Sequence, residues 1–334
     1  MTATGKDDWM YLDLGTEDLS KYRDMAHKHN IVNPLHYREE LVEHFTGDPH
    51  KKGSALPWHC MDGLRVRPGE ILLWAGANFH GKSAILTQCM TQWMKEDHKV
   101  LLISPEFSPT LNLSRLVQQI LGQLPVDIDE AGVNAALSFL ESRFLVYDAI
   151  GSVDVEDLMA VIYFAQEQYG ITMCALDNLT VMAMPSGMDV NQGHASLMTS
   201  LVQTARNTDV SIHVVCHTRK PQMGEPISRY NIRGASQLSD LADVILLVER
   251  NESKEKKLAD IKLDSEDRKE IRMQADTRLH CLKNRHGSAW TGVGKLFFSP
   301  ISMRWYEEYK YVDRPFNEVV PMMGLSGLTT TGTI

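Results

Sequence analysis

The chain has 334 residues, 43% hydrophobic and 23% charged, with a formal net charge of −9. That composition can supply a full globular core, and its acidic balance excludes a basic coat while leaving room for a local basic channel. No apolar run approaches the roughly 20 residues of a membrane helix, no basic-then-apolar leader opens the chain, and Cys60, Cys89, Cys174, Cys216 and Cys281 form no C-x-x-C pair, so a zinc ribbon and a disulfide framework are unsupported and a cytoplasmic protein is expected.

Residues 1–57 read as a polar arm. A short helix is predicted in "TEDLSKYRDMAHKH", followed by "PLHYREELVEHF", where Leu35, Leu41, Val42 and Phe45 give part of an apolar stripe at helical spacing. "TGDPHKKGSALP" punctuates the arm as a linker. From about residue 58 the pattern changes to continuous apolar strands alternating with amphipathic helices. The strands are "GEILLWAG", "KVLLISPE", "FLVYDA", "ITMCALDN", "VSIHVVCHT" and "ADVILLVERN". Ile85, Leu86, Cys89, Met90, Trp93 and Met94 share one face of the first helix, and Ser108 caps the next. This order predicts a mostly parallel α/β sheet over residues 58–310. "RLHCLKNRHG" and "GKLFFSP" with "SMRWYEE" follow at short spacing, as an antiparallel extension. The charged stretch at about 251–275 reads as a solvated excursion, because its signs balance and it has no aromatic residue. Residues 311–334 read as a flexible polar tail.

"GANFHGKS" is G-x-x-x-x-G-K-S between a predicted strand and a predicted helix, with Gly76, Gly81, Lys82 and Ser83 in the fixed places. Backbone N–H groups of such a loop point at phosphate oxygens, and the helix N-terminus favours the anion. The cradle would comprise Gly76, Ala77, Asn78, Phe79, His80, Gly81, Lys82, Ser83 and Ala84, with Lys82 on the β/γ-phosphates and Ser83 on Mg2+. Phe79 and His80 fill free positions and read as tolerated variation. Glu106 follows the strand after the loop's helix, where a carboxylate can polarise an attacking water. Asp177 ends a neighbouring strand and can hold Mg2+ through water. His217 ends another and reads as a γ-phosphate sensor. From Arg219 to Arg233 the next loop carries four basic residues and one acidic one (Arg219, Lys220, Arg229 and Arg233 against Glu225), as a mobile nucleic-acid loop would.

These elements, with "LLISPEFSPTLNLSRLV", "CALDNLTVM", "VVCHTRKP", "IRGASQLSDLADVILLVERN" and "CLKNRHGSAWTGVGKLFF", resemble the RecA-like P-loop ATPase domain of DnaB-type hexameric replicative helicases. The helicase half of phage primase–helicases is the more similar branch. The resemblance implies ATP or another NTP or dNTP as substrate, Mg2+, and a ring on single-stranded DNA. A primase, polymerase or loader would be a further partner. It implies Glu106 as catalytic carboxylate, Asp177 as the Mg2+ aspartate and His217 as sensor. Arg285 would be an arginine finger entering the neighbouring subunit's site, assisted by Lys283; Arg250 and Phe298 would sandwich the base. Arg219 and Lys220 would be the DNA loop, Arg233 and Gly234 its "RGA" element, and the helix at 34–45 the linker that docks on the adjacent subunit. Two features depart from the pattern. Only about 50 residues precede the motor, and the excursion at about 251–275 is longer than the family's. A RecA-like recombinase or accessory DNA-dependent ATPase, and a ring ATPase acting on protein, are the other readings.

Overall fold

The computed structural model describes residues 33–47, 53–148, 153–178, 190–218, 232, 235–260, 264–286 and 290–312. After a 3-10 turn at Pro34–Tyr37 come α1 (Arg38–Thr46), β1 (Ile71–Gly76), α2 (Lys82–Lys95), β2 (Val100–Ile103), α3 (Pro109–Leu121), α4 (Glu130–Leu140) and β3 (Phe144–Tyr147). The chain continues through α5 (Val155–Tyr169), β4 (Met173–Leu176), α6 (Val190–Thr208), β5 (Ser211–His217), α7 (Ala235–Leu241), β6 (Val244–Arg250), α8 (Glu252–Leu258) and α9 (Ser265–Arg272). It closes on β7 (Thr277–Asn284), β8 (Val293–Ser299) and β9 (Arg304–Tyr306). The helix predicted within residues 1–33, the tail after 312, and Arg219, Lys220, Arg229, Arg233 and Gly234 lie outside the described residues.

The sheet runs β3-β2-β4-β5-β1-β6-β7-β8-β9. Pairing is parallel from β3 to β6 and antiparallel from there on. The expected α/β fold with an antiparallel extension is therefore present. β1 alternates its side chains between two cores. Leu72 and Trp74 join α2, α3 and α4 on one face, while Ile71, Leu73 and Ala75 join α5, α6 and α7 on the other. Burial on both faces explains why the parallel strands read as continuous apolar runs.

β9 closes over the start of α2. Trp58 Nε1 and Gln88 Nε2 both donate to the Trp305 carbonyl, at 2.9 and 3.0 Å. The Trp305 amide donates to Gln88 Oε1 at 2.8 Å, and its indole to Thr277 Oγ1 at 3.0 Å. This ties the antiparallel extension to the helix that carries Lys82.

The excursion is solvated, as expected, with most of its described residues exposed, and it is folded into two short helices. Asn251 caps α8, accepting from Lys254 N at 3.1 Å, and Asp264 caps α9, accepting from Asp267 N at 2.8 Å. Lys254 is buried and bonds Asp276 Oδ1 and the Gln274 carbonyl, each at 2.6 Å. α8 is thereby pinned to the root of β7.

Glu70 supplies a stability prediction. Burial pushes its carboxyl up from 4.5 to about 7, against the pull of Arg67 and with the Asp243 charge adding to the rise. A carboxyl with a raised native pKa holds more protons folded than unfolded, so stability falls as pH rises between about 4.5 and about 7. Thermal melts at pH 5 and pH 8 should show native protein losing more stability than Glu70→Gln, on the order of 3 kcal/mol. Equal losses in the two proteins would refute it.

Candidate nucleotide site

Parallel strands place their C-terminal tips along one edge of a sheet, where open α/β folds bind ligands. Gly76 ends β1, Glu106 follows β2, Asp177 follows β4, His217 ends β5 and Arg250 ends β6. Because β2, β4, β5, β1 and β6 are consecutive neighbours, these five residues form one row. The P-loop sits within it. Gly81 adopts φ +87°, a conformation that favours glycine, and a Cβ there would crowd the Trp305 ring at 3.0 Å.

Lys82 Nζ donates to the carbonyls of Gly76 and Ala77 at 3.0 and 2.9 Å and lies 3.2 Å from His217 Nδ1. Burial lowers its pKa, opposed by the charges around it. On the other side of the imidazole, His217 Nε2 is 3.3 Å from Asn178 Nδ2, which also donates to Glu106 Oε2. A continuous polar chain thus runs Lys82–His217–Asn178–Glu106. The sequence reading singled out three of its members and missed Asn178. Its only signal is position, one residue beyond the strand-end aspartate.

Asp177 is buried, which raises its pKa, while a hydrogen bond from the Ser83 side chain opposes the rise. Asn112 and Arg115 of α3 line the same small cavity as Ser83 and Asp177, and were also missed. One hydroxyl and one carboxylate suit Mg2+, which keeps several waters and takes substrate phosphates as ligands.

The base-side residues are arranged differently. Arg250 donates from Nη1 to the Phe79 carbonyl at 3.1 Å and from Nε to Glu255 Oε1 at 2.5 Å. Phe298 packs on Trp305 with ring centroids 4.7 Å apart, and Trp305 abuts Gly81. Arg250 lines the cleft beside Ala77, Asn78, Phe79 and His80, whereas Phe298 sits behind Trp305 and does not line that cleft, so the two do not face each other as a base sandwich.

Arg285 and Lys283 lie at the other edge. β7 is antiparallel to β6, and Lys283 pairs with Ile245 near the start of that strand. β6 spans seven residues, so about 20 Å separates its ends. Arg285 Nη1 binds Asp243 Oδ1 at 3.0 Å and Nη2 binds the Asp240 carbonyl at 2.7 Å. Asp243 is buried, and its Oδ2 accepts the Ile71 amide at 3.0 Å, which anchors the arginine's root to the start of β1. Lys283 Nζ donates to the carbonyls of Ser239 and Asp240 at 2.8 and 3.0 Å.

The family model for the DnaB-like helicase C terminal domain matches residues 59–307. A DNA helicase/primase of Enterobacteria phage T3 is 27% identical over 209 residues, covering 57% of this chain and 37% of the relative. The matched region is thus well under half the length of that relative. A solved DnaB-like replicative helicase, described with its interactions with primase, superposes with a TM-score of 0.66 at 15% identity over 83% of this chain and 67% of its own. A second solved structure, an ATPase domain, gives 0.67 at 15% identity over 83% of this chain and 99% of its own.

Proposed function

The chain belongs to the DnaB-like helicase C-terminal domain family, and from that premise we propose that it is the ATP-driven motor of a ring-shaped replicative DNA helicase. In this reading Lys82 and the P-loop amides bind the triphosphate, and Glu106 polarises the attacking water. Mg2+ held by Ser83 and Asp177 would supply neutralisation of charge on the β- and γ-phosphates. His217, in contact with Lys82 and with the Asn178–Glu106 pair, relays the phosphate state toward the basic loop beginning at Arg219. Arg219, Lys220, Arg229, Arg233 and Gly234 are the proposed contacts to single-stranded DNA.

One observation carries the ring assignment. The P-loop and Arg285 occupy opposite edges of the same sheet, about 20 Å apart, beyond the reach of an arginine side chain. An arginine finger at Arg285 would therefore have to serve a nucleotide bound by another copy. α1 supports the same assembly: Leu35 and Phe45 are 76% and 80% exposed, and Leu41 and Val42 about half, so its apolar residues are available to an adjacent subunit. A primase-type partner is proposed from the structural relative alone.

The test is a forked-duplex assay with ATP and Mg2+ beside a strand-exchange assay. Strand release that depends on ATP, with single-strand binding that weakens steeply as salt rises, is the expected result. Strand exchange without unwinding would instead assign a recombinase. Hydrolysis indifferent to DNA would assign a protein-directed ATPase.

A further inference from the structure

Two sequence features left without a role, the Phe79-His80 dipeptide and the long excursion, meet in space. His80 Nε2 is 3.5 Å from Glu252 Oε1, and its Nδ1 sits 3.3 Å from both the Val248 carbonyl and the Arg250 amide. The Arg250 guanidinium is held between the Phe79 carbonyl and Glu255. Together these groups, with Ala77, Asn78 and Lys256, line an open cleft of about 480 Å3 beside the P-loop, a size that admits a nucleobase and ribose.

Helical geometry explains the division of labour on α8. Glu252 and Glu255 are three apart and share one face, turned to the P-loop. Lys254 lies on another face, buried against Asp276. The helix is clamped on its β7 side and presents two carboxylates on its loop side. A half-exposed pair such as Arg250–Glu255 adds little to stability. Its effect is geometric. Hydrogen bonds from both Nε and Nη1 fix the guanidinium plane, and a planar cation held in advance loses less freedom when a π-face stacks on it.

We propose that α8 is the base-side wall of the nucleotide site, with Glu255 positioning Arg250 and Glu252 positioning His80, so that the excursion sets the base-dependent part of nucleotide affinity. This rests on Arg250 as the base-stacking residue. Phe79, 90% exposed at the loop tip with φ +64°, is the second apolar surface of that cleft.

The experiment compares ATP with inorganic tripolyphosphate as competitors of a fluorescent ATP analogue on the full chain. Glu255→Ala should weaken ATP about three- to tenfold and leave tripolyphosphate within about twofold. Glu252→Ala should act in the same direction more weakly. Arg250→Ala fixes the premise: it should lower ATP affinity at least as far, again sparing tripolyphosphate. If Arg250→Ala shows the selective loss and Glu255→Ala does not, the positioning role of α8 is overturned while the base-stacking reading stands. If Arg250→Ala shows no selective loss, both fall. Equal weakening of ATP and tripolyphosphate by Glu255→Ala would also overturn the proposal, since the helix would then act on the phosphate cradle.

Discussion

Arg285→Ala is expected to lower DNA-stimulated ATP hydrolysis on the order of 10^3-fold or more while ATP binding stays within about twofold, the pattern of an arginine that meets only the transition state of another subunit's nucleotide. Its placement separates the two effects. The side chain is about 20 Å from its own P-loop, so its removal leaves the local phosphate cradle intact. It is also bonded to the buried Asp243, and alanine would remove that partner. Asp243 keeps the Ile71 amide on Oδ2, and His286 Nε2 lies 3.7 Å from Oδ1, so the carboxylate is not stranded. Arg285→Lys serves as the folding control, because it keeps the cation but loses the planar fork. Mixing supplies the stronger check. Arg285→Ala and Lys82→Ala subunits are each expected to be inactive, and together to regain hydrolysis, because one supplies an intact P-loop and the other an intact finger. Full hydrolysis by monomeric Arg285→Ala would end the trans assignment.

The strand-tip row was legible in the sequence because parallel strands are buried on both faces. They read as apolar runs, and a polar residue ending such a run falls at the ligand edge. Glu106, Asp177, His217 and Arg250 were found this way or through the resemblance, and all share that edge. Other elements were hidden for physical reasons. α4 turns Gly132, Ala136 and Leu140 to the core, a stripe too small to stand out from a loop. α8 and α9 were read as solvent-exposed charge, although Asn251 and Asp264 are side-chain N-caps that could have marked their starts. Asn178 carries no chemical signature of its own, His80–Glu252 joins distant parts of the chain, and Arg250–Glu255, only five residues apart, needs the turn into α8. Periodicity cannot report such contacts.

Glu106→Gln should reduce hydrolysis about 10^2- to 10^4-fold with ATP binding retained, the loss expected when a positioned base is neutralised. Glutamine keeps an oxygen able to accept from Asn178 Nδ2, so the chain from Glu106 to His217 and Lys82 survives the substitution. A large loss would therefore report the missing charge and not a collapsed network. A loss under about threefold would restrict Glu106 to holding Asn178. Asn178→Ala probes the other half, because it leaves Glu106 charged and cuts its link to His217. If that link carries the DNA signal, basal hydrolysis should change little while the DNA-stimulated increment disappears. Equal reduction of both rates would instead make Asn178 a support for Glu106 alone. The two substitutions thus separate chemistry from coupling along one four-residue chain, whose far end, Lys82, touches the phosphate loop itself.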